Sequence, residues 1–244
     1  MDEARQNELM GKLVRTLRDN GALPRDGHHP CMISGTERFF RAGYKGPLIA
    51  EWLPALDGVI AKLEQGARVA GIGCGHGASA AIMAQAFPKS SFAGFDAQAP
   101  LIDNATQGAE EGNVGSLAGL FDGSAQNYPG GDYDLICFFH CLHEMKDPVG
   151  AARHAYESLK DDGTVLLVES FADDRPAGNL NAVGRSFYAA STFNCTPDSL
   201  PQDGPRLGAQ TVEVRLRKVF VDAGFKQFRR ATQTPFNLIL EARK

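Results

Sequence analysis

One stretch restricts the fold more than any other: Val-Ala-Gly-Ile-Gly-Cys-Gly-His-Gly-Ala-Ser-Ala, residues 69–80. An apolar run passes directly into glycines at 71, 73, 75 and 77, and sequence of helical character follows. Glycine lets a backbone turn tightly and come close to a ligand, and the helix behind it offers N–H groups with no partner inside the helix. A strand, a glycine turn and a helix in that order open an α/β unit whose ligands gather at the carboxyl edge of a parallel sheet. A purely structural turn would also satisfy the pattern. So would a dinucleotide fold, since Gly73, Gly75 and Ala78 fit G-x-G-x-x-A.

The rest of the chain carries the alternation that such a unit needs. Apolar runs at 67–72, 91–96, 114–121, 133–139 and 164–170 predict strands, and helical stretches are predicted at 77–87, 99–111 and 148–160. Continuous apolar strands are what a parallel sheet covered on both faces requires. Residues 171–210 break the rhythm with Asp, Pro, Gly, Asn and Ser, and read as an insertion over the carboxyl edge of the sheet. A final helix at 211–224 precedes two strands, Phe-Lys-Gln-Phe-Arg-Arg-Ala-Thr and Phe-Asn-Leu-Ile-Leu-Glu-Ala-Arg, which read as an antiparallel hairpin. Ahead of this domain, residues 3–20 place Leu9, Leu13 and Leu17 at helical spacing with Met10 and Val14. Residues 21–46 read as an irregular connection, and 47–64 as one helix opening at Pro47. The fold class is therefore α/β: a Rossmann-like, seven-stranded, mostly parallel sheet over 67–244, with residues 1–66 as an N-terminal helical extension or lid.

A net charge of −4 without a Lys/Arg cluster argues against nucleic acid or an anionic membrane as the main partner. The N-terminus is too polar for a signal peptide, and no apolar run approaches a membrane span. The five cysteines are scattered and contain no CxxC pair, so neither a disulfide framework nor a structural zinc site is implied and no metal is expected. They read as small core residues in a protein of the reducing cytoplasm.

Asp96 sharpens the reading of the glycine turn. It ends the second strand, 19 residues beyond Gly77, where a carboxylate can accept both hydroxyls of a ribose. From here the chain resembles the class I methyltransferases that use S-adenosylmethionine. The resemblance covers about 67–244 and includes Gly-Ile-Gly-Cys-Gly-His-Gly, Gly-Phe-Asp-Ala-Gln, the 133–148 block and the closing hairpin. The 181–210 region looks like one bacterial branch of methyltransferase-domain proteins, some labelled regulators. By that resemblance Gly73, Cys74 and Gly75 line the methionine end of S-adenosylmethionine, and Asp96 with Ala97 holds the ribose. The Gly123-Ser124-Ala125 turn flanks the adenine, with Phe139 and His140 nearby. One departure stands out: Gly71 occupies the position where the family usually has an acid that orients this turn.

Methyl transfer is an in-line displacement in which the protein chiefly positions the nucleophile, and a base is needed only if the acceptor carries a proton. His140, His143 and Glu144 follow the fourth strand at the ligand-binding edge. His143 is the first candidate for a base, because an imidazole titrates near neutrality; a histidine packed under the loop is the structural alternative. Tyr188, with Arg185 and Asn194, is a candidate for the acceptor pocket, and Arg41 and Tyr44 for a lid over S-adenosylmethionine. Phe138 and Phe139 read as core rather than as an aromatic cage. The Leu9/Leu13/Leu17 stripe packs either on the domain or on a second subunit, which leaves a homodimer open. The expected function is methyl transfer to a small-molecule acceptor. Two other readings stay open: attack on the methionine chain of the same cofactor, releasing methylthioadenosine, and a non-catalytic regulatory protein that binds it. The shortness of the region before residue 67 counts against a DNA-binding module.

Overall fold

A computed structural model describes residues 30–97, 118–199 and 207–244, together with residues 8, 10–12, 14, 15 and 18. Its centre is a seven-stranded sheet of β1 (Arg68–Ile72), β2 (Ser91–Asp96), β3 (Ala118–Asp122), β4 (Tyr133–Phe139), β5 (Leu159–Ser170), β6 (Gln227–Gln233) and β7 (Asn237–Arg243). The spatial order is β3-β2-β1-β4-β5-β7-β6. The first five strands are parallel, whereas β7 runs antiparallel to both β5 and β6 and sits between them. The Rossmann-like expectation holds, including the terminal antiparallel pair.

The two-residue period of the strands builds both faces at once. Ala70, Ile72, Ile136, Phe138, Val165 and Leu167 point to one side, where they meet α4 (Pro148–Ser158) and α7 (Glu213–Asp222) through Ala151, Ala155, Leu216 and Phe220. Val69, Leu135, Cys137, Leu166, Val168 and Ile239 point to the other, under Trp52, Leu53, Leu63 and Met83. Between β1 and β2, α3 (Ala78–Ala86) begins at Gly77, whose φ of 69° is left-handed. The insertion carries α5 (Ala182–Ala190), a π-helical turn at Ser191–Cys195 and the short α6 (Thr196–Ser199).

Three expectations need correction. Residues 21–46 are not all irregular, because Pro30–Tyr44 forms α1, a helix of 15 residues. Its glycines and proline disguised it, but the buried end at Tyr44 packs on Trp52 and fixes it in place. The single helix expected over 47–64 is instead a π-helical turn (Leu48–Trp52), a 3-10 turn (Leu53–Ala55) and α2 (Val59–Gln65). Pro54 and the left-handed Gly58 interrupt it. β5 starts at Leu159, five residues before the expected 164, because Leu159 already pairs with Tyr133 ahead of an irregularity in the ladder. The helix expected at 99–111 lies outside the described residues, as do Leu9, Leu13 and Leu17; Met10 and Val14 are helical and half exposed. Among the described residues no helix is long and apolar enough to cross a membrane.

Candidate functional site

The glycine turn leaves β1 through residues in left-handed conformations: Gly73 at φ 62°, Gly75 at 52° and Gly77 at 69°. The backbone closes on itself and on β2. Cys74 N–H donates to the Phe95 carbonyl at 3.1 Å, and Gly75 N–H donates to Asp96 Oδ2 at 2.9 Å. Asp96 is thereby tied to the turn that it faces across the sheet edge. Gly73 is boxed in, since a Cβ there would stand 2.8 Å from Cys141 Cβ. At Gly75 a Cβ would meet nothing within 4 Å, and at Gly71 nothing nearer than 3.9 Å. The missing side chains at 71 and 75 leave open room in a cavity of about 430 Å³, which Asp96 and the first residues of α3 also line.

Across the turn the wall is aromatic. Phe40 of α1 stacks on His140 with centroids 4.0 Å apart, and Tyr44 lies parallel to the same ring at 6.0 Å. His140 follows β4 in a left-handed conformation, φ 51°, held by its N–H on the Val168 carbonyl at 2.8 Å. Burial, reinforced by nearby His143, lowers its pKa to about 3, although Asn237 beside the ring pulls the other way. It is a neutral imidazole whose two buried ring nitrogens have no well-formed hydrogen bond among the described residues.

The floor of the cavity holds a buried histidine. His143 sits in a 3-10 turn, Leu142–Glu144, and only 3% of it is exposed. Its Nδ1 lies 2.5 Å from Glu169 Oε2, and its backbone N–H donates to Oε1 at 3.3 Å. Glu169 comes from β5 and is 2% exposed. Burial opposes a charged imidazole, but the Glu169 carboxylate and contact with Cys195 outweigh it and hold the His143 pKa well above the usual histidine range. Glu169 occupies Nδ1, which leaves Nε2 on the side of Glu144; Glu144 and Cys195 also line the cavity. The thiol of Cys195 is pushed up by burial and stays protonated, despite the opposing pull of His143.

A family model described as a methyltransferase domain matches residues 44–226. The chain belongs to the methyltransferase-domain family. Solved structures share its fold. The mitomycin 7-O-methyltransferase MmcR is 17% identical with a TM-score of 0.64, over 97% of this chain and 67% of that one. An O-methyltransferase family protein from Burkholderia thailandensis is 17% identical with a TM-score of 0.67, over 99% and 70%. Human N-acetylserotonin methyltransferase, solved with S-adenosylmethionine, is 19% identical with a TM-score of 0.63, over 97% and 66%. No curated protein sequence matches the chain.

In this methyltransferase-domain protein the cavity gathers most of the residues singled out from sequence: Gly71, Gly73, Cys74, Gly75 and Asp96 on one side, Phe139, His140, His143 and Glu144 below, and Arg41, Tyr44 and Asn194 around them. Tyr188 and Arg185 are corrections. Both are exposed and neither lines the cavity, because they stand one helical turn apart on the solvent side of α5. Ser186, Phe187 and Ala190 of that helix line it instead. Ala97 is exposed, and Gly123, Ser124 and Ala125 form a half-buried turn after β3, outside this cavity but one strand from Asp96, whose carbonyl accepts the Gly123 N–H at 3.0 Å. Sequence reasoning passed over Glu169, Cys195 and Phe40. Glu169 carried a signal, a lone charge ending an apolar strand. Cys195, read as a small core residue, touches the candidate base.

Proposed function

We propose that the chain is an S-adenosylmethionine-dependent methyltransferase acting on a small-molecule acceptor. The observation that carries this is the buried His143–Glu169 pair opening into the same cavity as the glycine turn and Asp96. The cavity fits S-adenosylmethionine on three counts: open backbone at Gly71 and Gly75, a carboxylate at the end of β2, and buried unpaired nitrogens on His140. When bound, that cofactor supplies an electrophilic methyl group on a sulfonium. The turn around Gly73, Cys74 and Gly75 would hold its amino-acid end and Asp96 the ribose hydroxyls. Ala97 would stand beside Asp96 at the ribose, and Gly123–Ala125, at the neighbouring strand end, are our assignment for the adenine side. Phe40, Phe139 and His140 would shield the cavity from water.

His143 takes the acceptor's proton at Nε2 as the nucleophile attacks. Glu169, hydrogen-bonded at Nδ1, keeps the ring oriented and balances the imidazolium that forms. Ser186, Phe187, Ala190 and Asn194 would shape the acceptor side, and α1 would act as the lid. The small-molecule acceptors named for neighbours of the same fold support that substrate class. A net charge of −4 and, among the described residues, the free thiols of Cys74, Cys137, Cys141 and Cys195 support a cytoplasmic protein without nucleic acid or a membrane as partner, and a homodimer through the N-terminal region is our assembly proposal.

The products test the reading. Incubation with S-adenosylmethionine and a panel of small acceptors should yield a methylated product and S-adenosylhomocysteine by mass spectrometry. With the cofactor alone, 5′-methylthioadenosine should not exceed the spontaneous background. An enzyme-dependent rise in methylthioadenosine would replace methyl transfer by attack on the methionine chain, a route to which the absence of an acid at Gly71 is relevant.

A further inference from the structure

The spacing of the cysteines hides a second capacity of the cavity floor. His143 and Glu144 come from the turn after β4, and Cys195 comes from the end of the π-helical turn in the insertion, more than fifty residues away. One nitrogen, one oxygen and one sulfur donor from these three side chains lie within 4.8 Å of one another. Nε2 of His143 is 3.8 Å from Glu144 Oε1. His143 and Cys195 are buried, and all three residues line the cavity. The far side of the imidazole is bonded to Glu169, the carboxylate–histidine arrangement that orients a metal-bound ring and raises its basicity.

We propose that His143, Glu144 and Cys195 form a three-ligand site for a thiophilic divalent cation of the zinc class, with the fourth position open to the cavity. Imidazole, thiolate and carboxylate are the donors zinc takes, at about 2.0–2.3 Å, which places such donors roughly 3.5 Å apart around a tetrahedral ion. The cluster need contract by only about 1 Å, within reach of side-chain rotation. Binding displaces the thiol proton of Cys195 and any proton on Nε2 to solvent, and nothing is oxidised or reduced. Softer thiolate and imidazole ligation favours zinc over magnesium or calcium. A consequence that rests on the proposed function follows: an occupied site commits the Nε2 lone pair, so zinc blocks proton transfer and inhibits turnover.

The test needs neither acceptor nor cofactor, so its failure would leave methyl transfer standing, and failure of methyl transfer would leave it standing in turn. The full chain is stripped with a chelator and titrated with zinc against a chromophoric competitor, then with cobalt(II). One zinc per chain is expected, with a thiolate-to-cobalt charge-transfer band that disappears in Cys195→Ser. Glu169→Gln should weaken zinc binding about 10–100-fold. Circular dichroism and thermal unfolding check that the variants fold; should they not, X-ray absorption of the wild-type zinc form must show one sulfur and one imidazole. Absence of stoichiometric zinc, a zinc shell without sulfur, or a cobalt band that persists in folded Cys195→Ser overturns the proposal.

Discussion

Two neighbouring glycines in the turn do different work. Gly71 has an ordinary strand conformation, and its nearest prospective Cβ contact is at 3.9 Å. Gly73 combines φ 62° with a Cβ position only 2.8 Å from Cys141. We expect Gly71→Ala to stabilise the fold by about 0.4–1 kcal/mol, through a less flexible unfolded chain, and Gly73→Ala to destabilise it by about 1–3 kcal/mol. Denaturant unfolding of the two variants checks the contrast. As the proposed base His143 must be neutral, while Glu169 favours the protonated form. In chelator-treated enzyme the rate should therefore rise with pH along a limb above the ordinary histidine value of about 6.5. Glu169→Gln removes that hold and leaves burial dominant, so the limb should move to lower pH as turnover falls; a limb that stays in place would deny Glu169 its role. His143 was legible in the sequence because it follows a strand end. Its partner was not, because a ladder register, rather than sequence distance, sets Glu169 beside it.

Strands were more legible than helices, for a physical reason. β2 and β4 have the expected limits because burial on both faces demands unbroken apolar runs. α1 was missed because its stability comes from packing, through Tyr44 on Trp52 and Phe40 on His140, and not from a helical composition. The face of α5 was equally hidden until its phase relative to the sheet was known. That phase yields an expectation: Tyr188→Ala should leave acceptor KM and kcat unchanged, while Ala190→Trp should raise acceptor KM without altering S-adenosylhomocysteine affinity. Steady-state kinetics with the acceptor identified by screening decides it, and a Tyr188→Ala variant with impaired turnover would return that residue to the site.

For the molecule as a whole, ligand binding and stability are linked. S-adenosylhomocysteine at about one hundred times its Kd should stabilise the protein by about 2.7 kcal/mol, roughly 5–10 °C in Tm for a chain of this size, and NAD should do nothing. Asp96→Ala should weaken calorimetric affinity by about 1.5–3 kcal/mol and shrink that thermal shift accordingly. Unchanged affinity would remove Asp96 from the ribose.

The placing of β7 between β5 and β6 also governs how the protein can be made. Until β7 has emerged from the ribosome, β5 presents a bare row of amide and carbonyl groups, and β6 emerges with no strand yet available to receive it. Every residue up to Arg243 must leave the exit tunnel before the gap is closed from within. Until then the nascent chain is a sheet with an open seam, the condition in which strand exchange with another unfinished copy competes with folding.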